Sequence, residues 1–389
     1  MQIDYDLHGI VGVRLVDASP ADGAVVSRQL GPIESPLVRE PELVVRFVDR
    51  LPTHGRLRLL GRDESGFTDD AFYVLRSKHT TGVRVRIPFG EIGGRCELVC
   101  ERGVPAVPWL IPIVNLTALA RGVVPLHAAA FNYNGSGVVV TGWSKGGKTE
   151  TLLAFMARGA QYVGDEWVYI SGDGRRACGI PEPIRLWDWH LSELPEFRAR
   201  VRLKSRLRLK VLGMLRATCS HGTSPLFAKA SQLIQRQCGV DVAPERLFGA
   251  STKPATANFD QLFFVASHES PEIRVEPIDP QDAARRMSFS LAYERREFMA
   301  LYRMFRFAFP NVENKWIDQA EEIERERLLR AFEDKPAYVV FHPYPVSIPA
   351  LADAIEPLIS AGDERRTDSA SSVESPPVVP FVRERVAAL

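Results

Sequence analysis

Short apolar runs separated by turn residues fill the first hundred positions. LVVRFVDR (43–50), RLRLLGR (56–62), AFYVLRS (71–77), GVRVRIPFG (82–90) and CELVCERG (96–103) are divided by Gly, Pro and Asp. Several alternate apolar with basic residues, the period of a half-exposed strand. Residues 1–103 are therefore predicted to form a β-rich N-terminal region.

The pattern changes at 104. VPAVPWLIPIVNLTALARGVVPL (104–126) is almost wholly apolar, but Pro105, Pro108, Pro112, Asn115 and Arg121 interrupt it. It is too broken for a membrane span and predicts a buried helix over 109–121. LHAAAFNYNGSGVVVTG (126–142) predicts a hairpin about Asn134-Gly135. A helical pattern over 148–158 places Leu152, Leu153, Phe155 and Met156 inward and stops at Gly159. QYVGDEWVYI (161–170) predicts the next strand. Strand, loop, helix and strand in that order imply an α/β nucleotide-binding core, in a domain over 104–360.

Residues 191–240 are predicted mostly helical and basic. FRARVRLKSRLRLKVLGMLR (197–216) holds eight Lys or Arg and no acid. Its Val201, Leu203, Leu207, Leu209, Val211, Leu212 and Leu215 predict an amphipathic helix docked on the core with arginines in solvent. QLFFVASHE (261–269) reads as a buried strand and 281–335 as charged helix. AYVVFHPYPV (337–346) reads as a last strand, with His342 in a structural turn, and IPALADAIEPLI (348–359) as a last helix. Residues 361–389 are rich in Ser, Pro and charge and are predicted to lack fixed structure.

Composition narrows the partners. The 389 residues are 45% hydrophobic, ample for a core. Lys and Arg (49) balance Asp and Glu (48), and the net charge of +1 makes no strong case for nucleic acid or membrane. Five cysteines without a C-x-x-C pair argue against a disulfide framework or structural zinc and fit a reducing cytoplasm. The first residues, MQIDYDLHGI, lack the pattern of a signal peptide. A cytoplasmic protein is expected. His8, His54, His79, His190, His221 and His268 form no metal-ligand spacing with the cysteines.

The chemistry concentrates in GWSKGGKTE (142–150), which fits G-x-x-x-x-G-K-[ST] at Gly142, Gly147, Lys148 and Thr149. Phosphate oxygens need close backbone approach, so glycines are required. Loop N–H groups and the following helix N-terminus then face the anion. The spacing makes Trp143, Ser144, Lys145, Gly146 and Glu150 part of the same nucleotide cradle. Lys148 would reach the β- and γ-phosphates of ATP, and the Thr149 hydroxyl would ligate Mg2+. Asp165-Glu166, after the next strand, would face the same crevice and could serve a metal or accept a proton from an attacking hydroxyl.

LHAAAFNYNGSGVVVTGWSKGGKTETLLAFMARGAQYVGDEWVYI (126–170) resembles the catalytic core of the HPr kinase/phosphorylase family. His127, Ser144, Glu150, Arg158-Gly159 and Asp165-Glu166 fall in the family's order and spacing. The resemblance implies a P-loop core of the HPr kinase C-terminal domain type, PEP carboxykinase-like in fold. It implies that Asp165 is the catalytic acid that deprotonates an acceptor serine, that His127 lies near the transferred phosphate, and that Glu166 stands where the family has a second, metal-serving Asp. A homo-oligomer, with a hexamer as one option, is implied too. Two departures stand out. Lys145-Gly146 reverses the family's usual order, and no E-I-R-G-L-G-type segment follows, with Arg185 in IPEPIRLWDWH (180–190) its one remnant. The expectation is an Mg-ATP-dependent phosphotransferase acting on a hydroxyl of a protein serine or small molecule. The alternative is a nucleotide-binding regulatory or assembly protein with little or no kinase activity.

Overall fold

A computed structural model describes residues 1–359 apart from 52, 54, 62–63, 78–79, 221–237 and 253–254. The tail from 361, the end of the basic segment, and His54, His79 and His221 lie outside the described residues. The chain is mixed α/β, built on two large mixed sheets.

The first sheet has eight strands, all between Ile3 and Glu101. Alternation in the Leu43–Val48 strand resolves as predicted: Leu43, Val45 and Phe47 are buried, and Val44, Arg46 and Val48 half-buried. This strand pairs in parallel with both Val11–Val16 and Cys96–Glu101. A parallel pair needs a crossover, and the helix Pro20–Leu30, absent from the sequence reading, lies in it. Its signals are local. Ser19 caps the Asp22 N–H, the Asp22 carboxylate accepts from the Ser19 N–H, and Pro20 opens the first turn.

One apolar cluster runs across the 103/104 boundary. It joins Phe47, Phe72 and Phe89 to Leu110, Ile113 and Leu116 of the helix Leu110–Ala120, and to Phe298, Tyr302 and Phe305 of the long helix Pro280–Ala308. The Phe89 and Phe305 rings stack at 5.0 Å between centroids, and each such buried side chain contributes about 1.5–3 kcal/mol.

The second sheet has nine strands. Val124–Tyr133 and Ser136–Gly142 form the predicted hairpin. Ser136–Gly142, Gln261–Ser267 and Ala337–His342 then run in parallel. Val138, Val139 and Val140 are all buried, as a central strand covered on both faces requires. The C-terminal ends of these three strands, at Gly142, Ser267 and His342, share one edge, where ligands bind in open α/β sheets.

Three expectations need correction. The 161–170 strand is divided into Gln161–Gly164 and Trp167–Ile170. A register shift between Tyr162 and Gly164 and a left-handed backbone at Glu166 (φ 68°) interrupt it. Both pieces pair antiparallel with Val124–Tyr133, so Asp165-Glu166 reaches the loop through an irregular strand rather than at the end of a parallel one. The last strand stops at His342, not 346. In the basic helix Leu203–Ser220, Leu209 is buried, but Leu203, Leu207 and Val211 are 62%, 54% and 56% exposed. Spacing of four aligns those three on one helix face, and the core takes the face of Leu209. Among the described residues no helix is long and apolar enough to cross a membrane.

Candidate active site around the glycine-rich loop

The loop leaves the sheet at Gly142 and enters the helix Lys148–Ala157 at Gly147. Backbone approach dictates the glycines. A Cβ on Gly142 would strike the Val265 carbonyl oxygen, and one on Gly147, whose φ is +109°, would overlap the His342 ring. The helix is fixed from below by Leu152, Leu153 and Phe155, the last stacked on Phe131 at 4.7 Å. Trp143 is 49% exposed and packs on Tyr293 of the Pro280–Ala308 helix at 4.8 Å. Ser144 is half-buried, Lys145 exposed and Gly146 buried.

Lys148 is 5% exposed and donates from Nζ to the carbonyl oxygens of Trp143 (3.0 Å) and Gly142 (3.3 Å). Burial lowers its pKa, and Glu166, Asp165, Glu294 and Glu150 pull the other way. The next residue, Thr149, donates its hydroxyl to Asp165, with Oγ1 3.0 Å from Oδ2 and 3.2 Å from Oδ1. Asp165 is 3% exposed. Burial, then the charge of Glu166, pushes its carboxyl up to about 7 against the Thr149 hydrogen bond and Lys148.

His127 sits opposite Trp167 on the neighbouring strand. Its Nε2 is 3.0 Å from Glu166 Oε2, and its Nδ1 lies 3.5 Å from Glu294 Oε1. The His127 contact holds Glu166 below the ordinary carboxylate range, although burial opposes it. The Glu166 side chain keeps 54% of its exposure, so the hydrogen bond rather than burial governs it. Thr149 thus ties Asp165 to the loop helix, His127 holds the adjacent Glu166, and the charges of both acids act on Lys148.

Glu150 is placed differently. It is 6% exposed, and its carboxylate meets His190 Nε2 at 3.1 Å. His190 Nδ1 in turn accepts from the Trp187 N–H at 3.3 Å. The pairing with His190 lowers the Glu150 pKa against the upward push of burial. This acid ties the loop helix to the helix Asp188–Glu193. Arg185 lies on an exposed position, 3.6 Å from Asp241 and over the Trp187 ring.

Sequence reasoning missed Glu182 and Glu294. Burial drives the Glu182 carboxyl well above its usual value, and Glu166 and Asp165 add to that, while its Oε1 is buried without a hydrogen-bond partner. Its one sequence signal is a position between Pro181 and Pro183. Glu294 is one acid among many in a charged helix, and nothing in its neighbours distinguishes it. Beside it a cavity of about 30 Å3, lined by Asn115, Trp167, Glu294, Arg295 and Glu324, has room for about two waters. Among the described residues no group of three or more His, Cys, Asp or Glu is arranged to hold a metal ion. A hydroxyl beside one carboxylate, as at Thr149–Asp165, is a donor set suited to Mg2+, which keeps waters and phosphate oxygens as its other ligands.

No protein-family model matches the chain. No curated protein matches it either.

Proposed function

We propose that the protein is an Mg-ATP-dependent phosphotransferase with an HPr-kinase-like P-loop core, acting on a hydroxyl of a protein serine or small molecule. The observation that carries this reading is the buried Asp165 carboxylate on the hydroxyl of Thr149, at the mouth of a helix opened by a glycine-rich loop. Loop amides and the helix N-terminus hold the phosphates. Lys148 neutralises charge on the transferred group. Thr149 and Glu166 would hold Mg2+, which would screen the phosphate charges and leave Asp165 as the base. Asp165 accepts the acceptor's proton as its oxygen bonds to the γ-phosphorus and the bond to the departing ADP oxygen breaks. A carboxyl with a pKa near 7 suits that role, because it is a stronger base than an ordinary carboxylate and is half-ionised at neutral pH. His127 holds Glu166 ionised beside it.

The test is incubation of the protein with γ-labelled ATP, Mg2+ and a cell lysate. Label is expected on a protein band or metabolite, and its transfer is expected to vanish in Lys148→Ala together with ATP binding. ATP binding without any transfer, and without effect of Asp165→Asn, favours the regulatory reading instead. Unchanged ATP affinity in Lys148→Ala overturns both.

A further inference from the structure

We infer that His342 is a positioning residue that locks the Gly146–Gly147 peptide in the orientation needed for anion binding; the inference rests on the phosphate-loop reading of 142–149. His342 ends the parallel strand Ala337–His342, 196 residues from the loop, and is fully buried. Its Nε2 lies 2.8 Å from the Gly146 carbonyl oxygen, which can only accept, so a proton is assigned to Nε2. Its Nδ1 faces the Pro343 carbonyl oxygen, also at 2.8 Å. The His268 N–H donates to the His342 carbonyl at 2.9 Å, so the ring's own backbone is held by the sheet edge.

The consequence follows from peptide geometry. In a trans peptide the C=O and the N–H of the next residue point in opposite directions. A Gly146 carbonyl drawn to His342 therefore turns the Gly147 N–H to the side away from His342, where the anion is placed. The flipped plane would present a carbonyl oxygen to the anion instead. The Gly147 backbone is free to flip in a way few residues are, because glycine adopts either sign of φ at little cost. An external anchor is what selects one plane. The same closeness explains why 147 must be glycine, since a Cβ there meets the ring that provides the anchor.

The experiment measures binding of Mg-ATP and of pyrophosphate alone to the full chain by calorimetry, with melting temperature recorded for each variant. His342→Gln keeps an N–H donor; His342→Leu keeps similar volume without one, and His342→Phe is a second non-donor should the leucine variant not fold. Loss of one charge-assisted amide contact predicts roughly 10- to 100-fold weaker binding of both probes in the non-donors, with His342→Gln recovering most of it. Wild-type pyrophosphate affinity in a folded non-donor overturns the inference. So does equal loss in the Gln and Leu variants tracking a fall in melting temperature, the mark of packing alone. Wild-type protein that binds neither probe, or Lys148→Ala that binds both normally, overturns the phosphate-loop reading itself and the inference with it.

Discussion

Glu150 and Asp165 are both buried acids within reach of the same loop, yet their surroundings push them in opposite directions. Glu150 has one dedicated partner, His190, and its pKa is lowered despite burial. Asp165 shares its surroundings with Glu166 and Glu182, is met by a neutral hydroxyl, and is raised to about 7. A buried charge with a partner is a structural tie. A buried acid among like charges is held in an unfavourable state, which structure alone gives no reason to keep. Two carboxylates, two and seventeen residues along the chain from the same lysine, thus sit in opposite electrostatic settings. The distinction lies in the partner, not in the acid.

Asp165→Asn breaks the comparison on its chemical side. Removing a general base lowers phosphoryl transfer by about 10^2- to 10^4-fold, while ATP affinity changes little. The same substitution relieves a buried, crowded charge, so the melting temperature at pH 8 is expected to rise. Transfer from labelled ATP and a thermal melt on one preparation check both. A variant that loses activity and stability together would make Asp165 a structural acid like Glu150.

His190→Ala breaks it on the structural side. The change leaves Glu150 buried and ionised without its partner, which costs about 3 kcal/mol. Urea unfolding measures the loss, and adding Glu150→Gln is expected to recover part of it. No loss in His190→Ala would mean that Glu150 is solvated and free to face the nucleotide, as the sequence alone suggested.

Those two residues show what was legible in the chain. Gly142, Lys148 and Thr149 act within eight consecutive positions, so their spacing carries the loop. The hairpin through Asn134-Gly135 and the buried GVVV strand were legible for the same reason. The Pro20–Leu30 helix was legible too, through Ser19, Pro20 and Asp22, and was missed. Contacts that join distant segments leave no such trace. Glu150 meets His190 across 40 residues, and Gly146 meets His342 across 196. The basic helix failed differently. Its leucines and valines were read as one docked face, but they spread over more than one side of the helix, and the core took Leu209 while Leu203, Leu207 and Val211 stayed exposed.

The pH dependence of stability sharpens the comparison with a smaller effect. Asp165 is raised from 3.8 to about 7. Its contribution is full below the unfolded value, declines as pH rises, and levels off above about 7. Glu150 is lowered from 4.5, so its contribution is present above that value and is lost as pH falls through its folded pKa. Between pH 5 and 7 the Asp165 side titrates while Glu150 is silent. Stability should fall there by up to about 1.4 kcal/mol per pH unit for the one proton concerned. Urea midpoints across that window should slope in wild type and slope less steeply in Asp165→Asn, the remainder coming from Glu182, whose carboxyl is raised as well. Transfer activity should rise over the same window, since the base is formed as the fold weakens.

Glu182→Gln gives the smallest effect and separates crowding from burial. Glu182 has a buried oxygen without a hydrogen-bond partner, and Asp165 and Glu166 both raise its pKa. Charge interaction is mutual, so Glu182, where it ionises, must also disfavour ionised Asp165. The amide keeps the shape and removes that charge. Stability at pH 8 should increase by about 1 kcal/mol, and the pH midpoint of transfer should move downward while the maximal rate stays near wild type. If burial alone sets the Asp165 pKa, the midpoint will not move. In that case the three acids are neighbours without being a coupled set, and the contrast with Glu150 rests on the missing partner rather than on crowding.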